Sequence, residues 1–328
     1  MKKLFGLSFI LLVLLGLTAC VKDESSVVES DAKLNIVATI PPLTSITKAI
    51  AGEKANVENL IPPNASEHSW ELKPSDAKNL EEAELLVMNG LELEVFLEED
   101  LEENLYPNLN VVVVNKGIVA KNYEDFGLQH EDEDEHEDEH EDEHEDEHED
   151  EHEHGHDGLD PHVWLTVQNA EQIANNIYDG LVEVDQENAN YYADRLQLFK
   201  NRLGKIKEKQ LETVANLEFS NFIVFHDAYN YFFTEFDLLS YRKAALELVP
   251  GQEPSSAYLQ ELTEIIENES VTTIFIEPQL DPKIALLLED KFDVKLVKLD
   301  PVGTDLTESG YFIFQQNLIN SLVDAFGN

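Results

Sequence analysis

The sequence predicts an α/β protein of two lobes, each a mostly parallel sheet covered by helices, joined by one long rigid helix. Three observations carry this expectation. Short apolar runs alternate with helical patterns from Leu34 onward, one helical pattern of about 32 residues spans 186–217, and the alternation restarts after it.

In order, Leu34–Thr39 (LNIVAT) has the apolar, β-branched character of a short buried strand, Thr44–Ala51 the spacing of a helix, and Val57–Ile61 that of a second strand. The KPSD of Lys73–Asp76 supplies a turn and the start of a helix over Ser75–Glu82, and Leu85–Asn89 and Val111–Asn115 are further strands. Strands that alternate with helices form parallel sheets covered on both faces. Two helical patterns follow, Val167–Glu183 and Gln186–Leu217, the second interrupted by no Gly except Gly204. A helix of that length extends about 45 Å or more, too far to bury one face in a single small domain, so it is expected to cross between lobes. Beyond it come a strand at Phe222–Phe225, a helix from about Tyr229, a helix at Ser256–Glu267, a strand at Thr273–Ile276, a helix at Pro282–Lys291, a strand at Lys295–Lys298 and a helix around Phe312–Phe326. Two lobes joined in this way imply a cleft between them.

Composition narrows the partners. The 328 residues carry a formal charge of −46, and residues 131–153 alone hold 18 Asp or Glu with no Lys or Arg. Nucleic acid and anionic membrane surfaces are disfavoured, and cations favoured. The N-terminus, MKKLFGLSFILLVLLGLTAC, has two lysines, an apolar run shorter than a membrane span and small residues before a cysteine, the pattern of an export signal. It resembles a bacterial lipoprotein signal, which implies cleavage after residue 19 and lipid on Cys20. Residues 20–32 are then a polar tether. Cys20 is the single cysteine, which excludes an intramolecular disulfide and cysteine zinc clusters.

Of eleven histidines, eight (His130, His136, His140, His144, His148, His152, His154 and His156) lie in an acidic run in which EDEH recurs five times. Repelling carboxylates oppose a helix there, so 130–157 is expected to be disordered. Its imidazoles and carboxylates suit weak, reversible binding of divalent ions, and mere solubilisation is the alternative. The other three are His68 in NASEHSWELKPSD, His162 in DPHVWL and His226 in VFHDAYNYF, each where a strand or loop passes into a helix. Ligands bind at such junctions in open α/β sheets. Three imidazoles and one carboxylate make a tetrahedral site suited to zinc, and Asp300 in KLDPVGT can supply the carboxylate, although Asp-Pro is also an ordinary turn starter. Trp164, Tyr229 and Tyr231 beside these histidines are expected to be packing residues, while Glu277 in IFIEPQ either faces the cleft or serves as a cap or ion-pair partner.

The motifs SEHSWELKPSD, DPHVWL, FHDAYNYF, IFIEPQ and LDPVGT, in that order around a His/acid-rich run, resemble the zinc-binding component of bacterial zinc ABC importers (ZnuA type), within the metal-binding cluster of solute-binding proteins. The resemblance spans roughly Leu34 to Phe326. It implies two lobes bridged by a long helix with metal in the cleft, His68, His162 and His226 as imidazole ligands, and Asp300 as the second-lobe carboxylate. Glu67 resembles an acid that completes the site in some members, and three roles stay open for it: ligand, orienting partner of a histidine, or solvent-facing side chain. Manganese-type relatives carry a carboxylate at the position matching 226, so the third imidazole favours Zn2+ over Mn2+.

The expected organisation is a signal peptide (1–19), the tether (20–32), a first lobe (33–129 and 158–185) interrupted by the acidic loop (130–157), a linking helix (186–217) and a second lobe (218–328). The expected function is extracytoplasmic capture of Zn2+ and its delivery to an ABC permease with a cytoplasmic ATPase, by a lipid-anchored monomer that is not an enzyme. Surface adhesion is an additional role seen among relatives. No G-x-x-x-x-G-K-[ST] phosphate loop is present, so ATP hydrolysis falls to a partner. The rival is a secreted zinc hydrolase. Against it, no H-E-x-x-H pair lies outside the repeat, and a catalytic zinc needs an open fourth position.

Overall fold

The computed structural model describes residues 33–126, 158–246 and 255–327. The expected signal peptide, Cys20, the tether and the acidic run with its eight histidines lie outside the described residues.

Two four-stranded sheets are built entirely from parallel pairs. The first holds β1 (Leu34–Ala38), β2 (Ala55–Asn59), β3 (Leu85–Met88) and β4 (Asn110–Val113) in the order β2-β1-β3-β4, with Ile36 facing Val57 on one side and Leu85 on the other. The second repeats the pattern with β5 (Phe222–Val224), β6 (Arg242–Ala245), β7 (Thr273–Ile276) and β8 (Lys295–Lys298) in the order β6-β5-β7-β8. In each sheet the winding reverses beside the first strand, between β1 and β3 and between β5 and β7. The loops leaving the C-terminal ends of those strands part there and open a crevice.

Side chains alternate in direction along a strand. Ile36 and Ala38 of β1 enter a central core, whereas Val37 enters a smaller outer one; Phe222 and Val224 of β5 enter the same central core, whereas Ile223 enters a third. The central core is filled by four longer helices, α1 (Pro41–Ala51), α4 (Val167–Val184), α5 (Ala189–Val214) and α9 (Gly310–Phe326), together with Tyr231, Phe232 and Phe233 after β5. Helix α5 packs against the other three. The outer face of the first sheet is covered by α2 (Pro74–Glu82) and α3 (Val95–Glu102) through Leu80 and Leu97. That of the second is covered by α7 (Ser256–Asn268) and α8 (Lys283–Phe292) through Leu262, Ile266, Ile284 and Leu288. A short helix, α6 (Asn230–Glu235), follows β5. Among the described residues no helix is long and apolar enough to cross a membrane.

The long helix is shorter than its sequence pattern. Gln186–Asn188 form a separate 3₁₀ turn, held by the Asp185 carboxylate, whose Oδ2 accepts from Asn188 Nδ2 (2.7 Å) and Tyr192 Oη (2.6 Å), and α5 proper has 26 residues, a rise of about 39 Å. Its buried Tyr192, Leu196, Phe199, Leu203, Gln210 and Val214 run its full length. It therefore does more than connect, because it is a wall of the core common to both sheets. Two elements escaped the sequence pattern. Helix α3 (VFLEEDLE) is acidic and buries only Leu97, and β6 (RKAA) is a polar edge strand.

Candidate metal centre

The residues of the site sit at the C-terminal end of a strand, at the start of a helical turn or, for Glu67 and His68, in a loop between strand and helix. His68 lies in the loop between β2 and α2, His162 precedes the 3₁₀ turn Val163–Leu165, and His226 precedes the 3₁₀ turn Asp227–Tyr229 after β5. Glu277 and Asp300 follow β7 and β8. The three imidazoles converge edge to face, with ring centroids 4.9–5.1 Å apart. One nitrogen from each lies within 4.8 Å of the others, and His68 Nε2 is 3.1 Å from His162 Nε2. Two imidazole nitrogens on a tetrahedral zinc at about 2.0–2.1 Å sit about 3.3–3.4 Å apart, so this pair is already at the spacing of a shared ion.

Exposure is graded. His162 is fully buried, His226 is 15% exposed and His68 38%. His68 is thus the side on which solvent and ions reach the site.

Around the rings stand four carboxyl groups. Asp160 Oδ1 lies 2.8 Å from His162 Nδ1 and also accepts the His162 backbone N–H at 2.9 Å. Burial pushes its carboxyl up to about 7, against the lowering effect of the His162 N–H, Asn230, His226 and Arg242. Glu277 is buried, with Oε2 3.6 Å from His226 Nδ1, so it stands beside the histidines as an ion-pair partner of one of them. Glu67 is also buried, and its Oε1 is 4.0 Å from His68 Nε2. Its carboxyl is pushed up to about 7 by burial, with Glu277 and Asp300 adding to the rise and His226 opposing it. Asp300 Oδ1 accepts from Gln279 Nε2 (3.1 Å) and from the backbone N–H groups of Val302 (3.3 Å) and Gly303 (3.0 Å). Among the described residues, the group whose candidate ligand atoms all lie within 4.8 Å holds the three histidines alone; Glu67 and Asp300 stand beside it. The buried Oε1 atoms of Glu67 and Glu277 accept no hydrogen bond. A site with carboxyl oxygens in excess of donors is costly when empty and favours a cation.

Trp164, Tyr229 and Tyr231 are buried packing residues, and two of them also tie the halves of the site together. Trp164 Nε1 donates to Pro301 O (2.7 Å), and Tyr231 Oη donates to Asp160 O (3.1 Å). Lys73 and Asp76 open α2 as expected, the Lys73 N–H donating to Asp76 Oδ2 (3.0 Å). Sequence reasoning missed Asp160 and Asn230. The signal for Asp160 was its place two residues before His162, across Pro161, which lets the carboxylate turn back onto its own neighbour's ring.

The Glu67 carboxyl has a consequence for stability. Its folded value of about 7 lies above the ordinary value of about 4.5, so between the two the native metal-free chain holds a proton that the unfolded chain has released. Its contribution is complete below about 4.5 and is lost as pH rises through about 7. Urea unfolding of the metal-free protein is expected to show stability falling over that window more steeply than in Glu67→Gln. An equal slope in the two proteins refutes this.

A family model described as "Zinc-uptake complex component A periplasmic" matches residues 36–325. The high-affinity zinc uptake system protein ZnuA of Brucella abortus (strain 2308) is 33% identical over 308 residues, covering 88% of this chain and 91% of that protein. The protein of the same name from Bacillus subtilis (strain 168) is 30% identical over 331 residues, covering 99% and 98%. Among solved structures, a zinc-bound deletion mutant of ZnuA superposes with a TM-score of 0.68 at 25% identity, covering 88% of this chain and 98% of that one. With a match across nearly all of both sheets and the cleft between them, this chain belongs to the family of zinc-uptake complex component A proteins.

Proposed function

We propose that the protein captures Zn2+ outside the cytoplasm with His68, His162 and His226 and delivers it to an ABC permease driven by a cytoplasmic ATPase. The observation that carries this reading is the convergence of three imidazoles from three separate loops at the crevice of two parallel sheets. A site rich in nitrogen suits zinc better than the harder manganese ion. Glu67 is the carboxyl placed to complete the shell, since it is buried beside His68 and its charged form is stabilised by a cation. Asp300, whose Oδ1 accepts from Gln279 and from a turn, is the second carboxylate of the proposed site. The protein performs no turnover; it is the substrate-binding component.

The anchor and the acidic run belong to the same reading. Residues 1–19 are removed on export, Cys20 carries lipid, and 20–32 tether a monomeric body to the membrane. The body is organised as a first lobe (33–129 and 158–185), a linking segment (186–217) and a second lobe (218–328). The run 130–157 gathers zinc weakly through its histidines and carboxylates. Metal analysis and competitive titration of the protein, with and without 130–157, test this. One tight zinc site is expected to survive the deletion with little change in affinity, while additional weaker sites disappear. Loss of the tight site on deletion would place a ligand in the run and refute the assignment.

A further inference from the structure

The fully buried His162 is oriented by its near neighbour Asp160, yet the groups that hold Asp160 come from the second half of the chain. Arg242 lies on the edge strand β6, and its side chain is turned inward and buried. Its Nη1 donates to Asp227 Oδ1, and at 2.6 Å to Asn230 Oδ1. A guanidinium has donors and no acceptor, so the amide oxygen of Asn230 must face Arg242 and its NH2 must face the other way. There Asn230 Nδ2 donates to Asp160 Oδ2 at 3.1 Å and to Asp227 O at 2.9 Å. With Oδ2 so engaged, Asp160 presents Oδ1 to the His162 backbone N–H and to His162 Nδ1. This geometry suits a ring that carries its proton on Nδ1 and turns the lone pair of Nε2 into the site, where Nε2 lies 3.1 Å from His68 Nε2.

From this chain of contacts we propose that Arg242 is a positioning residue for zinc binding, acting through the amide of Asn230 on Asp160 to fix the tautomer and orientation of His162. The proposal rests on His162 being a zinc ligand. Reversing or removing the Asn230 amide leaves Asp160 without the donor that selects which oxygen faces the ring, and the imidazole loses its fixed hydrogen position. Partners of this kind are typically worth about 10–100-fold in metal affinity.

The test uses the intact chain. In the metal-free wild type, nitrogen NMR of labelled histidine is expected to show His162 as the Nδ1–H tautomer; the Nε2–H tautomer would overturn the proposal without any variant having to fold. Asn230→Leu keeps similar volume and removes both hydrogen-bonding ends. It is expected to mix the His162 tautomers and weaken zinc binding about tenfold or more, read by competition with a chelating dye. Arg242→Lys keeps a cation beside Asp227 but lacks the planar fork, and is expected to lose affinity in the same direction by a smaller factor. Because Arg242 acts through Asn230, the double variant should bind zinc no more weakly than Asn230→Leu. Multiplying losses in the double variant, or a His162 tautomer unchanged in Asn230→Leu, would overturn the positioning role alone. Undiminished zinc affinity in His162→Ala would instead overturn the ligand assignment, and the proposal with it.

Discussion

Replacing His162 by alanine is expected to weaken tight zinc binding by at least about a hundredfold. Structural zinc sites are worth roughly 10–16 kcal/mol in apparent binding free energy, so one of four ligands accounts for about 3 kcal/mol. The loss at His162 should exceed that at His68. His162 is fully buried, so bulk water does not readily replace it, whereas His68 is 38% exposed and water can take its place on the ion. Competitive titration of the two variants measures both numbers. A His162 variant that binds like wild type would show that the ion sits elsewhere.

The largest effect on stability is expected at Trp164. It is fully buried in the central core, and its Nε1 donates to Pro301 O across the site. Trp164→Ala removes a large side chain at a cost of about 3–5 kcal/mol and strands the Pro301 carbonyl at about 1–3 kcal/mol more. Urea unfolding should show a loss in that range. Trp164→Phe keeps most of the packing and forfeits only the bond, and should lose less than half as much. A loss under about 1 kcal/mol for the alanine variant would mean that the core collapses into the space.

The strands and helices were legible because their signals are local. β-Branched runs such as LNIVAT at 34–39 and TIFI at 273–276 are bounded by turn residues, and the helices show apolar periodicity. The three clustered histidines were legible once the repetitive eight were set aside, since each sits in a distinct junction. What the sequence did not disclose depends on distant partners. Arg242 looks like a surface residue of an edge strand until Asp227 and Asn230 are placed beside it. Asp160 looks like a turn residue until Asn230, 70 residues later, is placed on its Oδ2. Nor did an apolar strand say which helix covers which face. Both faces of β1 and β5 are buried, so nothing local reveals that Ile36 and Phe222 share one core with α5 between them.

That shared core bears on the order in which the chain is made. Helix α1 is among the first elements to be synthesised, yet its buried Ser45 donates to Thr307 O (2.8 Å) and accepts from the Tyr311 backbone N–H (2.6 Å), partners 262 and 266 residues later. Tyr311 Oη in turn donates to Trp164 O at 2.8 Å. Contacts this remote require most of the chain to be present before they repay the entropy of closing the loop. A chain made from its N-terminus would leave the face of α1 that packs against α9 uncovered until α9 had been made. During that interval this apolar face of α1 stays open to chaperones and proteases.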